Sequence, residues 1–227
     1  MNPKSYLGRM ERFTQTPQWW DTMSTVVEAV VEEAKDGSHS VIPFRHLDVG
    51  CGTGKLCHWI SERLHEEKID NSRIMGIDVN KKAIRRAKQQ NAREWCENSL
   101  FFTDYLPVSW PVFRGSLHSV TLCYVLGHCD DPSHVLEHIY RSLRRNGLLI
   151  IVSTNPLFDW AMWLHNVVTG YKTDPTLQHH WTLNDLCSFV SRFGFECVRR
   201  GRTGERFRYF PRCEALRAYN IAHFRKI

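Results

Sequence analysis

Leu47-Asp48-Val49-Gly50-Cys51-Gly52-Thr53-Gly54 follows an apolar run that begins at Phe44 and precedes the helical pattern of Leu56, Trp59, Ile60 and Leu64. Glycines at every second position let the chain turn sharply and let its backbone approach a ligand, and the helix start beyond them offers unpaired N–H groups. A nucleotide-like cofactor is the tenant such a loop suits. A phosphate-binding P-loop reads GxxxxGK[ST]; here Gly50 to Gly54 is one residue too short, and Leu56 stands where the magnesium-binding hydroxyl belongs. A dinucleotide fingerprint reads GxGxxG, whereas this loop reads GxGxG, and no Tyr-xxx-Lys pair points to a short-chain dehydrogenase. Hydride transfer is therefore the weaker reading.

Working outward, strand-like and helix-like segments alternate from residue 43 to residue 200, which predicts a doubly wound α/β fold. Strands are expected near Phe44–Val49, Ile74–Asp78, Leu100–Thr103, Val120–Leu126, Leu148–Ser153 and Glu196–Arg200. A final strand near Ala218–Phe224 would close a mostly parallel seven-stranded sheet as its antiparallel member. Asp131-Pro132 starts a helix with the stripe Val135, Leu136, Ile139 and Leu143, and Asn146-Gly147 should end it. Thr182 with Asp185 resembles a capping box ahead of Leu186, Phe189, Val190 and Phe193, with a stop at Gly194.

At 227 residues the chain suits one domain with covering elements. Residues 1–40 carry Trp19, Trp20, Met23, Val26, Val27 and Val30 at helical spacing and read as a covering helix, followed by the binding domain at 41–227. Within it, residues 156–181 form a lid-like insertion in which Trp160, Trp163, Leu164 and Val167 follow a helical stripe. No apolar run approaches the roughly 20 residues of a membrane span, and Met1 to Arg12 are too polar for a signal peptide, so the expected compartment is the cytoplasm. The eight cysteines include no CxxC pair or zinc-type spacing, so free thiols and no metal are expected. The net charge is +6, and arginines crowd the last third, from Arg192 through Arg199, Arg200, Arg202 and Arg206 to Arg217 and Arg225. Such a run is either a solvated face or an attractor for acidic partners such as nucleic acid.

The loop resembles motif I of the class I S-adenosylmethionine-dependent methyltransferases, in which a DxGCGTG pattern wraps the methionine portion and ribose of the cofactor. The match runs through Asp48, Gly50, Cys51, Gly52, Thr53 and Gly54. Asp78, followed by Val79, ends the second strand where that family holds the ribose hydroxyls. Phe102-Thr103-Asp104-Tyr105 resembles its motif III, which implies that Asp104 accepts from the adenine amino group with Tyr105 alongside. The stretch from Tyr124 through His128 to Pro132 is similar to "vLeHvpdP", and Leu143 to Leu149 to "LkpGG.l" with Asn146 replacing the first glycine. His179-His180-Trp181-Thr182 through Phe195 is similar to "H..fT...L...l...GF". The resemblance covers roughly residues 44 to 200 and extends to the small-molecule type 11/UbiE-like group, to which the chain is similar.

The resemblance implies S-adenosyl-L-methionine as cofactor and in-line transfer of an electrophilic methyl, for which alignment is the main requirement and no metal is needed. A hydroxyl or ammonium acceptor would need a base, and His128 and His180 are the candidates, with His179 beside them. A carboxylate acceptor would need none. The fourth-strand end lacks the [DNS]PP[YF] motif of adenine and glutamine methylation, since Tyr124-Val125-Leu126 stands there. It also lacks a Pro-Cys nucleophile and a catechol-type metal-binding Asp. A small organic acceptor follows, walled by Trp160, Trp163 and Trp181. RNA-directed methylation and a non-catalytic cofactor-binding partner subunit are the alternatives, and the oligomeric state is not legible.

Overall fold

The computed structural model describes residues 14–35, 42–93, 99–103, 114–158, 160, 178–206, 212–213, 215 and 217–227. Seven strands form one sheet: β1 (Phe44–Val49), β2 (Ser72–Asp78), β3 (Ser99–Thr103), β4 (Leu117–Cys123), β5 (Leu143–Thr154), β6 (Phe195–Arg206) and β7 (Arg217–Lys226). Their order is β3-β2-β1-β4-β5-β7-β6. Neighbours from β3 to β5 pair parallel, whereas β7 runs antiparallel to both β5 and β6. The expected closing strand is therefore interior, and β6 forms the edge. Burial explains this, because Ala222 and Phe224 enter the core on one face of the sheet while Ile221 enters the core on the other.

Helices cover both faces. α1 (Pro17–Lys35), α2 (Lys55–Glu66) and α3 (Lys81–Arg93) share one apolar cluster in which Val26, Val30, Ile60, Leu64 and Ile84 meet Phe44, Ile74 and Ile150. α4 (Pro132–Ser142) and α5 (Leu183–Ser191) place Leu136, Ile139, Leu186 and Val190 against Leu47, Leu122, Leu149 and Phe224 on the other face. Full burial of a side chain of this size contributes about 1.5–3 kcal/mol. The covering helix at the N-terminal end thus supplies a substantial part of one core. It is also tied by charge: Glu33, 2% exposed, lies between Arg144 of β5 (3.3 Å) and Arg225 of β7 (2.6 Å).

Local signals and outcome mostly agree. Asp131 caps α4, its carboxylate accepting from His134 N at 3.1 Å with Pro132 in the first turn. Thr182 caps α5 through Asp185 N at 3.2 Å. β5 and β6 run longer than expected, over Leu143–Thr154 and Phe195–Arg206, and two element ends differ for identifiable reasons. α4 stops at Ser142 rather than at Asn146-Gly147, because Leu143 turns extended and pairs with Leu117. β4 ends at Cys123 rather than Leu126, because Tyr124 takes a left-handed φ of 61° and Leu126–His128 follow as a 3₁₀ turn. Among the described residues no helix is long and apolar enough to cross a membrane. The cysteines described are unbridged, and Cys187 Sγ lies 3.2 Å from Cys197 Sγ.

Candidate active site

The glycine loop is held from two directions. Gly50 N and Cys51 N both donate to the carbonyl of Ile77 at the end of β2, at 2.8 and 3.0 Å. Gly52 N donates to Asp78 Oδ2 at 2.8 Å, while Asn80 N donates to Oδ1 at 2.7 Å. Gly50, Gly52 and Gly54 all have left-handed φ values, of 76°, 56° and 80°. At Gly50 a side chain is also excluded by packing, since an added Cβ would lie 2.2 Å from Val125 Cγ2. Gly54 opens α2 with no side-chain cap, leaving the first-turn N–H groups to the cleft above.

Asp78 is the acidic group best placed to receive a ligand. Each of its oxygens already accepts one backbone N–H, yet a carboxylate has about four lone-pair sites, so it can still accept from a vicinal diol. Burial raises its pKa, and the hydrogen bonds from Asn80 and Gly52 oppose that rise. Val79 beside it is exposed.

Asp48 sits deeper. It is 3% exposed and accepts from Thr121 Oγ1 at 2.7 Å and from the Cys57 thiol at 3.8 Å. Thr121 Oγ1 is also 3.3 Å from His46 Nε2, and His46 Nδ1 is 2.8 Å from Ser119 Oγ. The hydroxyl of Thr121 gives its proton to Asp48, so His46 carries hydrogen on Nε2 and Nδ1 accepts from Ser119. Burial drives the two ionisable members toward neutrality. It lowers His46 to about 3 and raises Asp48 to about 7, where the Thr121 hydrogen bond opposes the rise and the nearby Asp78 charge adds to it.

Beyond β4, Tyr124 packs edge-on against Tyr219, with ring centroids 4.9 Å apart. His128 closes the 3₁₀ turn and is exposed. The segment 178–180 lies beside this turn, because Gln178 N and His179 N both donate to Gly127 O at 2.9 and 3.1 Å. The fold thus brings the two histidine-bearing segments together at the C-terminal edge of the sheet, with His128 and His180 on its rim. His179 and Trp181 have buried ring nitrogens, Nε2 and Nε1, without hydrogen-bond partners. Beneath them Ser153 and Asn220 are cross-strand neighbours, and Ser153 Oγ and Asn220 Oδ1 are likewise unpaired. Sequence reasoning missed this polar group because the four residues come from three separate segments. Asp104, Tyr105 and Trp163 lie outside the described residues, as does most of the lid-like insertion. Among the described residues no three His, Cys, Asp or Glu side chains cluster as metal ligands would.

Residues 18–200 match the model of a methyltransferase domain family. A demethylmenaquinone methyltransferase of Lactococcus lactis subsp. lactis is 26% identical over 123 residues, 52% of this chain and 47% of that protein. The ubiquinone/menaquinone biosynthesis C-methyltransferase UbiE of Desulfotalea psychrophila is 26% identical over 110 residues, 48% of this chain and 41% of that one. The chain thus spans about half the length of these curated relatives. In fold it is similar to a SAM-dependent methyltransferase from Aquifex aeolicus, with a TM-score of 0.69 at 12% identity over 100% of both chains. It is also similar to magnesium protoporphyrin IX methyltransferase of Synechocystis PCC 6803 with bound SAH. There the TM-score is 0.65 at 17% identity, over 91% of this chain and 82% of that one. The matched domain spans most of the chain, and the seven-stranded sheet agrees in fold with these structures, so the chain belongs to the methyltransferase domain family.

Proposed function

We propose that the protein transfers the methyl group of S-adenosylmethionine to a small organic acceptor bearing a hydroxyl, carboxyl or amine. The observation that carries this reading is the polar group beneath His179 and Trp181. Four buried polar atoms without partners at one end of a sheet depart from the near-complete satisfaction of protein interiors. Ser153 Oγ, Asn220 Oδ1, His179 Nε2 and Trp181 Nε1 together offer donors and acceptors suited to an oxygen- or nitrogen-bearing molecule, just beyond the strand whose end adjoins the glycine loop.

The cofactor supplies an electrophilic methyl. On this reading Asp78 accepts from the ribose hydroxyls, and the turn Gly50–Gly54 with Asp48 and Cys51 shapes the cleft. Val79 and Tyr124 are assigned beside it, and Asp104 and Tyr105 are assigned to the adenine by the motif alone. Holding donor and acceptor in line is the main catalytic contribution. For a hydroxyl or ammonium acceptor, His128 and His180 at the rim are the candidate bases, and the inward-turned His179 joins them. The names of the curated relatives, which act in menaquinone and ubiquinone synthesis, support a small-molecule acceptor over a macromolecular one.

Calorimetry with S-adenosylmethionine, followed by detection of S-adenosylhomocysteine on addition of hydroxylated, carboxylated and amino compounds, tests the proposal. Saturable heat and acceptor-dependent product are expected. Heat from NADH or ATP with none from S-adenosylmethionine would overturn it.

A further inference from the structure

Cys187 of α5 and Cys197 of β6 stand ten residues apart in sequence, and a tight turn brings them face to face. Arg192 N donates to Phe189 O, Phe193 N to Val190 O and Gly194 N to Ser191 O, so the helix ends without slack. Gly194 then takes a left-handed φ of 83° against the ring of Tyr140, where an added Cβ would lie 2.6 Å from Cε2. Phe195, 1% exposed, meets the same ring edge-on, with centroids 5.5 Å apart. Two residues on, Cys197 pairs with Phe224 and Arg199 with His223, which leaves Val198 as the extra residue of a bulge. Cys197 thus packs on the face of the sheet that α5 covers.

The two sulfurs approach to 3.2 Å. A disulfide needs about 2.0 Å between its sulfurs, so closing the bond asks for roughly 1 Å of side-chain movement. Among the described residues no other two cysteine sulfurs lie in contact. Access to the pair is one-sided: Cys187 is 7% exposed, whereas Cys197 is half-buried on the edge strand. Burial and the contact with Cys187 push the Cys197 thiol up to about 12, and Arg200 draws it back. It is therefore held as a thiol at neutral pH, and its exchange quickens as pH rises.

We propose that Cys187 and Cys197 are a modification site, a thiol pair that closes reversibly to a disulfide and clips the edge strand β6 to helix α5. Cys197 gives its proton to solvent, and its thiolate attacks one sulfur of a low-molecular-weight disulfide such as oxidised glutathione, expelling a glutathione thiolate. Cys187, its proton also passing to solvent, attacks Sγ of Cys197 in this mixed disulfide and expels the second glutathione thiolate. Two protein thiols are oxidised, one glutathione disulfide is reduced, and the expelled thiolates take up the two released protons. Among the described residues β6 pairs with β7 alone, so the bond gives the strand a second hold. It also steadies the helix on whose Phe189 the ring of Trp181 stacks, with centroids 4.5 Å apart.

The experiment incubates the folded full chain with oxidised glutathione at neutral and at mildly alkaline pH. Free thiols are then blocked, and trypsin, which cuts after Arg192, separates the two cysteines unless the bond joins them. A linked peptide pair containing Cys187 and Cys197 is expected, formed faster at the alkaline pH and lost on reduction with dithiothreitol. The oxidised protein should melt about 4 °C or more above the reduced one, because the bond restricts the unfolded chain. Cys197→Ser should abolish both the linked pair and the rise in melting temperature, whereas Cys187→Ser should stop at the mixed disulfide on Cys197. No linked pair at the alkaline pH, glutathione left on Cys197 of the wild type, or a linked pair that leaves the melting temperature unchanged would overturn the proposal.

Discussion

The backbone N–H of Gly52 donates to the carboxylate of Asp78 at 2.8 Å, so the turn after the first strand and the end of the second are one structural unit. A substitution at either end changes both the ligand-binding group and the shape of the loop. Asp78→Ala is expected to weaken S-adenosylmethionine binding by roughly 1–3 kcal/mol through loss of charge-assisted hydrogen bonds. Isothermal calorimetry reads this directly, and an unchanged dissociation constant would refute the role given to Asp78.

Gly50→Ala meets two obstacles, a left-handed backbone and a Cβ position 2.2 Å from Val125 Cγ2. The expected loss is about 1–3 kcal/mol of stability from overpacking, with a further cost for the strained φ. Combining it with Val125→Ala should recover the packing part but not the backbone part. A double-mutant cycle in urea measures that coupling, and strict additivity would show that the contact is not the cause.

Asp48 carries a pH signature. Its carboxyl is raised by burial to about 7 in the folded chain, against an ordinary value of 3.8. The folded state therefore holds more protons than the unfolded one between these values. The stability this proton retention confers is complete below about pH 4 and is lost as pH rises through about 7. Asp48→Asn keeps an acceptor for Thr121 and removes the titration. The variant should gain on the wild type as pH increases from about 4 to about 7, with a level difference above that range. His46 and His223 contribute the opposite slope in both proteins and cancel in the comparison.

Glu33→Ala leaves Arg144 and Arg225 facing each other at the base of the sheet without their shared carboxylate. Both arginines remain about one-third exposed, which moderates the penalty below that of a fully buried pair. A destabilisation on the order of 3 kcal/mol is expected in chemical denaturation. A change under about 0.5 kcal/mol would mean that solvent already screens the triad.

Much of this molecule was legible before its folding was known, because its informative signals are local. Asp131-Pro132 and Thr182 start helices where their side chains satisfy first-turn amides, and the glycine turn and Asp78 come together as their motif implies. What escaped depends on partners distant in sequence. Leu143 has helical neighbours and an apolar side chain, but its backbone is claimed by Leu117. Tyr124 continues an apolar run that reads as strand, and nothing in its identity announces a positive φ. Of the three histidines near the rim, periodicity could not say which turns inward. That is decided by Gly127 O drawing in the amides of Gln178 and His179. Asp104 and Tyr105 remain expectations from the motif alone.

The interior position of β7 bears on how the protein is made. β2 to β5 each emerge after a strand they pair with, whereas β6, which among the described residues pairs with β7 alone, emerges before its partner. Until β7 arrives, β6 is a solitary ribbon with unpaired amides, the kind of segment that invites association with other chains. Arg199, Arg200, Arg202 and Arg206 fall on this strand. Like charges on an unpaired strand oppose the approach of a second copy, a service such residues can render before any ligand is met.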